Sequence, residues 1–442
     1  MFTFLGILLS SFGISIMQLI LATAMPFIVT EIGGEALYGW VFSSYMLSSL
    51  LTIPIFSKLA DLFGKKKFYL LGMSLFAVGT LYGALAPNMA SLITARVIQG
   101  LGAGIMTPVS IALISELFPP EKRGGMIGAF SFVQLIANLL SPIRGSFITR
   151  QLGWHWIFYI TLSLVLMGIL FIALDKKKDP ALSGQRLRWT DIDLAGGVMF
   201  GVFCVLVVSF SDSLSSLGRL ELTGVSLLVG AILTGLILVW NEVRHKNPII
   251  KVSFFKVRVL RQSILSSLIA GSIMYGLVTL LPLCGVIFSQ NGYRTDESQL
   301  LMIFMIGSTL GVLFTSRIIH RLDSRFTKMM WAGSVIGAGI LYYAVSTNHL
   351  IMFNVVTGLL GLSLGAIMAT LLINSQNAVS NEDRTVLSGL VQLGRYLGAS
   401  VGVTILTGIL PDISQISAAS QFLGAFGLLI GIYGLGVINE FI

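Results

Sequence analysis

Charge is what this chain has least of. Only 11% of its 442 residues are Asp, Glu, Lys or Arg, against 55% that are hydrophobic. A soluble domain carries roughly 25% charged residues, so the shortage excludes a water-soluble globule and places most of the chain in lipid. Cysteine is nearly absent as well. Cys204 and Cys284 lie in separate apolar runs, which excludes a disulfide framework, fits no metal site and leaves packing as their role. Acids are outnumbered, 19 to 28, for a net charge of +9. The basic residues sit in short loops, however, and no aromatic-basic patch on a soluble domain accompanies them. The surplus therefore points away from nucleic acid and towards a topology signal. Met1 to Val29 carries no basic residue ahead of its apolar run and no small-residue cleavage pattern, so it reads as a retained first span. Four scattered histidines and no paired acids or nucleophile at membrane depth argue against an enzyme. No cofactor or metal is expected.

What the sequence has is long apolar stretches. A spanning helix needs about 20 mostly apolar residues, and fourteen such stretches centre near residues 16, 50, 77, 104, 136, 164, 203, 230, 274, 306, 337, 361, 397 and 428. Short alternating segments, the mark of a barrel, are lacking. The expected class is an all-α polytopic membrane protein with 14 transmembrane helices. Lys and Arg mark every second loop: Lys65 to Lys67, Lys122 and Arg123, Lys176 to Lys178 with Arg186 and Arg188, then Arg244 to Arg261, Arg317 to Lys328, and Arg384. With Lys58 these loops hold 22 of the 28 basic residues, and the alternate loops hold only Arg150, Arg219 and Arg294. Positive charge stays inside, which predicts that both termini are cytoplasmic. Arg96, Arg144 and Arg395 fall within apolar stretches.

The chain also repeats itself. Ser57-Lys-Leu-Ala-Asp61 and Ser316-Arg-Ile-Ile-His320 follow corresponding spans at an offset of 259, Gly100 and Gly358 match at 258, and Glu121 to Gly128 resembles Glu382 to Gly389 at 261. A near-constant offset predicts two six-helix bundles, residues 1–174 and 260–442, joined by a linker with two inserted spans at 175–259. Halves related in this way are how many transporters build a central site with alternating access.

Four motifs tie the repeat to a family. Ser57-Lys-Leu-Ala-Asp-Leu-Phe-Gly-Lys-Lys-Lys67 resembles the G-x-L-a-D-r-x-G-r-[KR] loop of the major facilitator superfamily, and it lies between spans 2 and 3, as that loop does. Arg96-Val-Ile-Gln-Gly-Leu-Gly-Ala-Gly104 resembles the span 4 motif R-x-x-q-G-x-g-a. The fourteen spans, Trp154-His-Trp-Ile-Phe158 and Arg395-Tyr-Leu-Gly-Ala-Ser-Val-Gly402 are similar to the 14-span drug:proton antiporter branch. The resemblance implies a major facilitator fold, a monomer, a bacterial cytoplasmic membrane and a small-molecule substrate exchanged for protons, with antibiotic resistance as the phenotype.

These residues have physical roles to fill. Asp61 ends span 2 and can accept hydrogen bonds from the start of span 3, where a helix N-terminus favours negative charge. Gly64 allows the tight turn, and Lys65 and Lys66 hold the loop inside and can bridge to the neighbouring half. Together they form the expected gating latch. An Arg at mid-bilayer costs roughly 2.5–3.5 kcal/mol on the insertion scale and should face a cavity or a partner. Arg96, Asp61 and Glu116 are therefore the candidates for coupling. Ser388, Gln392 and Arg395 form a polar stripe on span 13, matched on span 5 by Ser131, Gln134, Asn138 and Ser141. The expected cavity residues are Gln18, Gln134, Asn138, Arg144, Tyr275, Gln392, Arg395 and Tyr396, with Phe130 and Phe132 near the same path.

Three features depart from the family pattern. Span 1 has Met17 and Gln18 where that branch carries an acid. The span 5 motif reads Ala137-Asn-Leu-Leu-Ser-Pro-Ile-Arg-Gly-Ser146, with three glycines replaced and Arg144 added. No Asp or Glu lies at the centre of any span. Arg144 either snorkels to the headgroups or adds positive potential to the outer mouth. The expectation is a proton-coupled exporter of hydrophobic drug-like compounds. A dedicated exporter of one metabolite or lipid-like anion is the rival within transport, and a non-transporting sensor or scaffold the rival outside it.

Overall fold

In lipid a backbone must satisfy its own hydrogen bonds, and a helix does so within one segment. The computed structural model describes residues 1–175, 193–217, 222–245, 248, 252–290, 298–318, 324–378, 384–410 and 419–441, and among them every long element is helical. The basic residues expected at 176–178, 186, 188, 219, 246, 251, 294 and 321 lie outside the described residues. The helices are α1 (Phe2–Ile32), α2 (Tyr38–Phe63), α3 (Lys65–Ala84), α4 (Met89–Leu117), α5 (Pro120–Leu152), α6 (His155–Leu174) and α7 (Leu194–Leu217). They continue with α8 (Leu222–Arg244), α9 (Arg258–Gln290), α10 (Gln299–Ile318), α11 (Ser324–Ser346), α12 (Leu350–Asn377), α13 (Arg384–Gly408) and α14 (Leu423–Asn439).

Each of the fourteen apolar centres falls inside one of these helices. Ten of the helices are long and apolar enough to cross a membrane. The other four are α3, α5, α10 and α13. Lys65 to Lys67 open α3, and Gln392 and Arg395 interrupt α13, whereas among the described residues the apolar stretches of α5 and α10 run over Gly128–Ser141 and Gln299–Thr315.

Local chemistry sets several boundaries. Asn88 caps α4: its Oδ1 accepts from the Ser91 amide at 2.9 Å, and the Ser91 hydroxyl accepts from the Asn88 amide at 3.3 Å. This reciprocal pair satisfies two amides that a helix start leaves open. Pro120 opens α5, where its missing N–H costs nothing. Gly64 separates α2 from α3 with φ 108°, a backbone conformation that residues with a Cβ rarely adopt.

The chain divides into two compact units, Met1–Leu206 with Val229–Lys251, and Val207–Leu228 with Val252–Ile442. In the first, α1 packs on α5 and α6, α4 on α2 and α3, and α3 on α6. In the second, α9 packs on α13 and α14, α12 on α10 and α11, and α11 on α14. One pairing scheme thus occurs twice.

Small residues bring these helices together, as is usual where lipid supplies no hydrophobic drive between helices. A Cβ on Gly100 of α4 would fall 2.3 Å from the Tyr45 carbonyl oxygen of α2, and one on Gly361 of α12 would fall 2.3 Å from that of Phe304 on α10. Packing therefore pairs Gly100 with Gly361, where the sequence offset had suggested Gly358. The prolines repeat too: Pro26 interrupts α1 and Pro282 interrupts α9.

Candidate functional site

The loop between α2 and α3 begins with an electrostatic conflict. Lys65, Lys66 and Lys67 open α3, at the helix end whose dipole disfavours cations. Two of them find partners on other helices of the same unit. The Lys65 ammonium bonds the carboxylate of Glu116, in the last turn of α4, and Lys66 donates to the backbone oxygen of Asp175, just past α6. The structure thus joins Lys65 to Glu116, two residues selected separately from sequence. Both of these contacts lie within the first unit. Asp61 lies in the last turn of α2, and its side chain lies outside the described residues, as does that of Arg144.

Asp175 does more than receive Lys66. Its Oδ2 accepts from the Thr3 amide at 3.1 Å and from the Thr3 hydroxyl at 2.7 Å, tying the end of α6 to the start of α1. A similar tie closes the second unit. Glu440, just past α14, lies 3.3 Å from the Ser266 hydroxyl of α9, and Asn439 donates to that same hydroxyl at 2.8 Å. Burial pushes the Glu440 carboxyl up, opposed by the Ser266 bond and the Lys328 charge. Neither acid was singled out from sequence, because nothing local marks an acid after a span as a tie to another helix.

Arg96 is 1% exposed on α4, and its partners are neutral. Its Nε donates to the Val41 oxygen at 3.2 Å, Nη1 donates to Gln99 Oε1 at 2.7 Å, and the guanidinium lies 4.1 Å over the Tyr45 ring. Gln99 in turn donates to the Thr80 hydroxyl at 2.9 Å. The chain of bonds crosses α2, α4 and α3. Gln99 stands in the span 4 motif but was not named as a site residue, although its spacing of three from Arg96 puts both on one face of α4.

On α5 the polar stripe divides. The Ser141 hydroxyl turns back to the Ala137 oxygen and lies 3.4 Å from the Ile16 oxygen of α1, which makes it a packing residue. Gln134 instead lines a cavity of about 30 Å³ with Ser11, Ile14, Ser15, Met106, Thr107, Ser110 and Phe130, drawn from α1, α4 and α5. Phe132, by contrast, is 59% exposed, so it does not share the cavity with Phe130. Asn138 is half-buried between the two groups. On α1, Met17 is buried and its sulfur lies 3.7 Å from the Thr161 hydroxyl of α6, whereas the Gln18 amide nitrogen is buried with no hydrogen-bond partner among the described residues. Sequence reasoning missed the hydroxyls of α1 and α4. The spacing of Ser11, Ser15 and Gln18, one helical face, was the available signal.

The second unit brings together four of the sequence candidates. On α13, Arg395 donates from Nη2 to Gln392, and its guanidinium lies 5.8 Å over the Tyr396 ring. Tyr396 meets Tyr275 of α9 edge-on, with centroids 6.5 Å apart. The Arg395 Nε is buried without a hydrogen-bond partner among the described residues. Glycine contact makes the corner possible: a Cβ on Gly271 of α9 would fall 2.1 Å from the Arg395 oxygen. The corner combines a cation, two aromatic faces and an amide.

Two helical units of one pairing scheme, built largely of apolar helices long enough to cross a membrane and each carrying a buried or half-buried arginine, define a polytopic membrane protein with an internal repeat. The chain belongs to the Major Facilitator Superfamily, whose family model matches residues 3–403. Multidrug resistance protein 3 of Bacillus subtilis (strain 168) is 28% identical over 414 residues, 91% of this chain and 78% of that protein. The Multidrug transporter protein MdtP of the same organism is 27% identical, covering 92% of this chain and 74% of its own length. Among solved structures, an auto-inhibited POT family peptide transporter superposes over 100% of this chain and 94% of its own, with TM-score 0.70 at 16% identity, a likeness of fold alone. The protein is a multi-pass secondary transporter of the superfamily and not an enzyme.

Proposed function

We propose that the chain is a proton-coupled exporter of hydrophobic drug-like compounds that works by alternating access. One observation carries this reading: relatives named for multidrug resistance or multidrug transport are similar along nine-tenths of the chain. In this reading residues 1–174 and 260–442 are six-helix bundles, the segment 175–259 adds two spans for fourteen in all, and the protein sits in a bacterial cytoplasmic membrane with both termini inside. Asp61, Gly64, Lys65 and Lys66 form the cytoplasmic latch, and Glu116 anchors it through Lys65. Arg96 serves coupling. Gln18, Gln134 and Asn138 in the first unit, and Tyr275, Gln392, Arg395 and Tyr396 in the second, line the path of the substrate, with Arg144 at the outer mouth. Proton-driven accumulation in inside-out vesicles tests the export reading.

A second reading, export of one metabolite or lipid-like anion, is favoured by the corner at Arg395. There a guanidinium with an open donor meets two aromatic rings, and among the described residues its hydrogen-bond partner is the neutral amide of Gln392. A panel of anionic, neutral and cationic probes in the same vesicles separates the two readings. Absence of transport for all of them, from folded protein, would leave a sensor or scaffold.

The topology has its own test. Cys204 and Cys284 are both buried, so they give little background to a membrane-impermeant thiol reagent. Lys67→Cys is expected to react only from the cytoplasmic side, and His349→Cys, between α11 and α12, only from the outside. Reaction of both from one side would exclude the fourteen-span arrangement.

A further inference from the structure

The cavity among α1, α4 and α5 differs chemically from the corner at Arg395. Its polar lining consists of Ser11, Ser15, Thr107, Ser110 and Gln134, and no charged side chain is among its lining residues. Hydroxyls usually offer both a donor and acceptors, but two of these have already spent their protons. Thr107 Oγ1 donates to the Ala103 oxygen at 2.8 Å, and Ser110 Oγ donates to the Thr107 oxygen at 2.9 Å, both within α4. What these oxygens still offer is lone pairs. The remaining wall, Ile14, Met106 and Phe130, is apolar.

We propose that this cavity is a subsite for one neutral hydrogen-bond donor, a hydroxyl or amide N–H, on an otherwise greasy transported compound. The proposal rests on the export reading and adds to it a preference for one chemical group. Size limits the guest. A cavity of about 30 Å³ admits a group the size of a water molecule, not a ring. Charge limits it further. A permanent cation would leave water without a carboxylate to face it, a burial that costs far more than that of a neutral group, and an anion would meet the lone pairs of Thr107 and Ser110 with no cation in the lining to neutralise it. A neutral O–H or N–H fits both limits. A binding site built around a substrate hydroxyl discriminates against the analogue lacking it, because its own polar groups are then left without a partner. The effect is moderate here, since Thr107 and Ser110 keep their bonds to the α4 backbone.

Three probes on one scaffold test the proposal: 1-naphthol, its methyl ether, and trimethyl(1-naphthyl)ammonium. Their binding to purified full-length protein is measured by equilibrium dialysis against a matched detergent blank. The expected result is that 1-naphthol binds about tenfold more tightly than its ether, the scale of one net hydrogen bond, and that the ammonium binds most weakly. In Thr107→Val with Ser110→Ala the gap between naphthol and ether closes, whereas Thr107→Ser alone preserves it. Equal binding of all three, no binding of any, or a gap that survives in the double variant would each overturn the proposal and leave the cavity to an ordered water only. The export reading fails separately. Discrimination in binding without proton-driven uptake of 1-naphthol removes export and keeps the subsite, and uptake without discrimination does the reverse.

Discussion

Arg96→Met is expected to abolish proton-driven transport while leaving the protein at least as heat-stable as the parent. Two costs decide the stability. Removing the guanidinium leaves Gln99 Oε1 and the Val41 oxygen without that donor, and an unsatisfied buried group costs about 1–3 kcal/mol. Against this stands relief from holding a charge out of water, which amounts to several kcal/mol per ion even after relaxation. Arg96 is 1% exposed, and among the described residues its partners are an amide, a carbonyl and a ring, none of them an anion. The relief therefore matches or exceeds the loss, and Met fills the space with a flexible chain. A charge kept at such a cost has a use, and an ionisable residue inside a span marks an ion or substrate path. Uptake should fall to below about one-tenth of the parental rate, equivalent to more than about 1.4 kcal/mol on the limiting step. Thermal unfolding and uptake on the same purified sample check both halves. Transport at the parental rate would remove Arg96 from the mechanism, and collapse of the fold would make it a structural residue.

Asp61→Asn is the second large effect. The substitution keeps the shape of the side chain and removes a charge from the last turn of α2, four residues ahead of Lys65 in the sequence. A charge in the terminal turn of a helix is worth about 0.3–1 kcal/mol to a fold, so expression and thermal midpoint should change little. Alternating access is more sensitive. A latch shifts the balance between states only by its differential interaction with them, and deleting the charge deletes that difference. The expected result is a fall of about tenfold or more in uptake, again about 1.4 kcal/mol or more, at normal protein levels. Lys65 is engaged with Glu116 in the same unit, so Glu116→Gln should reproduce part of the loss. Purified Asp61→Asn protein that transports at the parental rate would exclude the latch.

The sequence made helix existence legible because lipid enforces it. A run of about 20 apolar residues has one stable backbone in a bilayer, so all fourteen centres land inside helices. The repeat was legible from loops more than from spans. Gly100 paired by spacing with Gly358, but packing against Tyr45 and Phe304 pairs it with Gly361, since glycines are frequent in α12 and spacing alone does not say which of them meets a neighbour.

Facing was the least legible property. Phe130 and Phe132 were read together, and only Phe130 lines the cavity, because residues two apart on a helix point to different sides. Serines and threonines hid for another reason. They bond back to their own helix wherever they sit, as Ser141 and Ser110 both do, so their presence on α1 and α4 did not distinguish a cavity wall from a packed seam. The Tyr275, Gln392, Arg395 and Tyr396 corner was legible because arginine in an apolar stretch is rare enough to point at its neighbours.

The most direct test of the account is proton-driven uptake into inside-out membrane vesicles containing the protein, with a neutral hydrophobic probe such as 1-naphthol. Respiration acidifies the lumen, which corresponds to the cell exterior, and a protonophore then dissipates the gradient. The account predicts that the probe accumulates while the lumen is acid, that accumulation collapses on adding the protonophore, and that Arg96→Met vesicles accumulate none above the protein-free control. Accumulation that ignores the protonophore, or none at all from folded parental protein against the full probe panel, would contradict proton-coupled export.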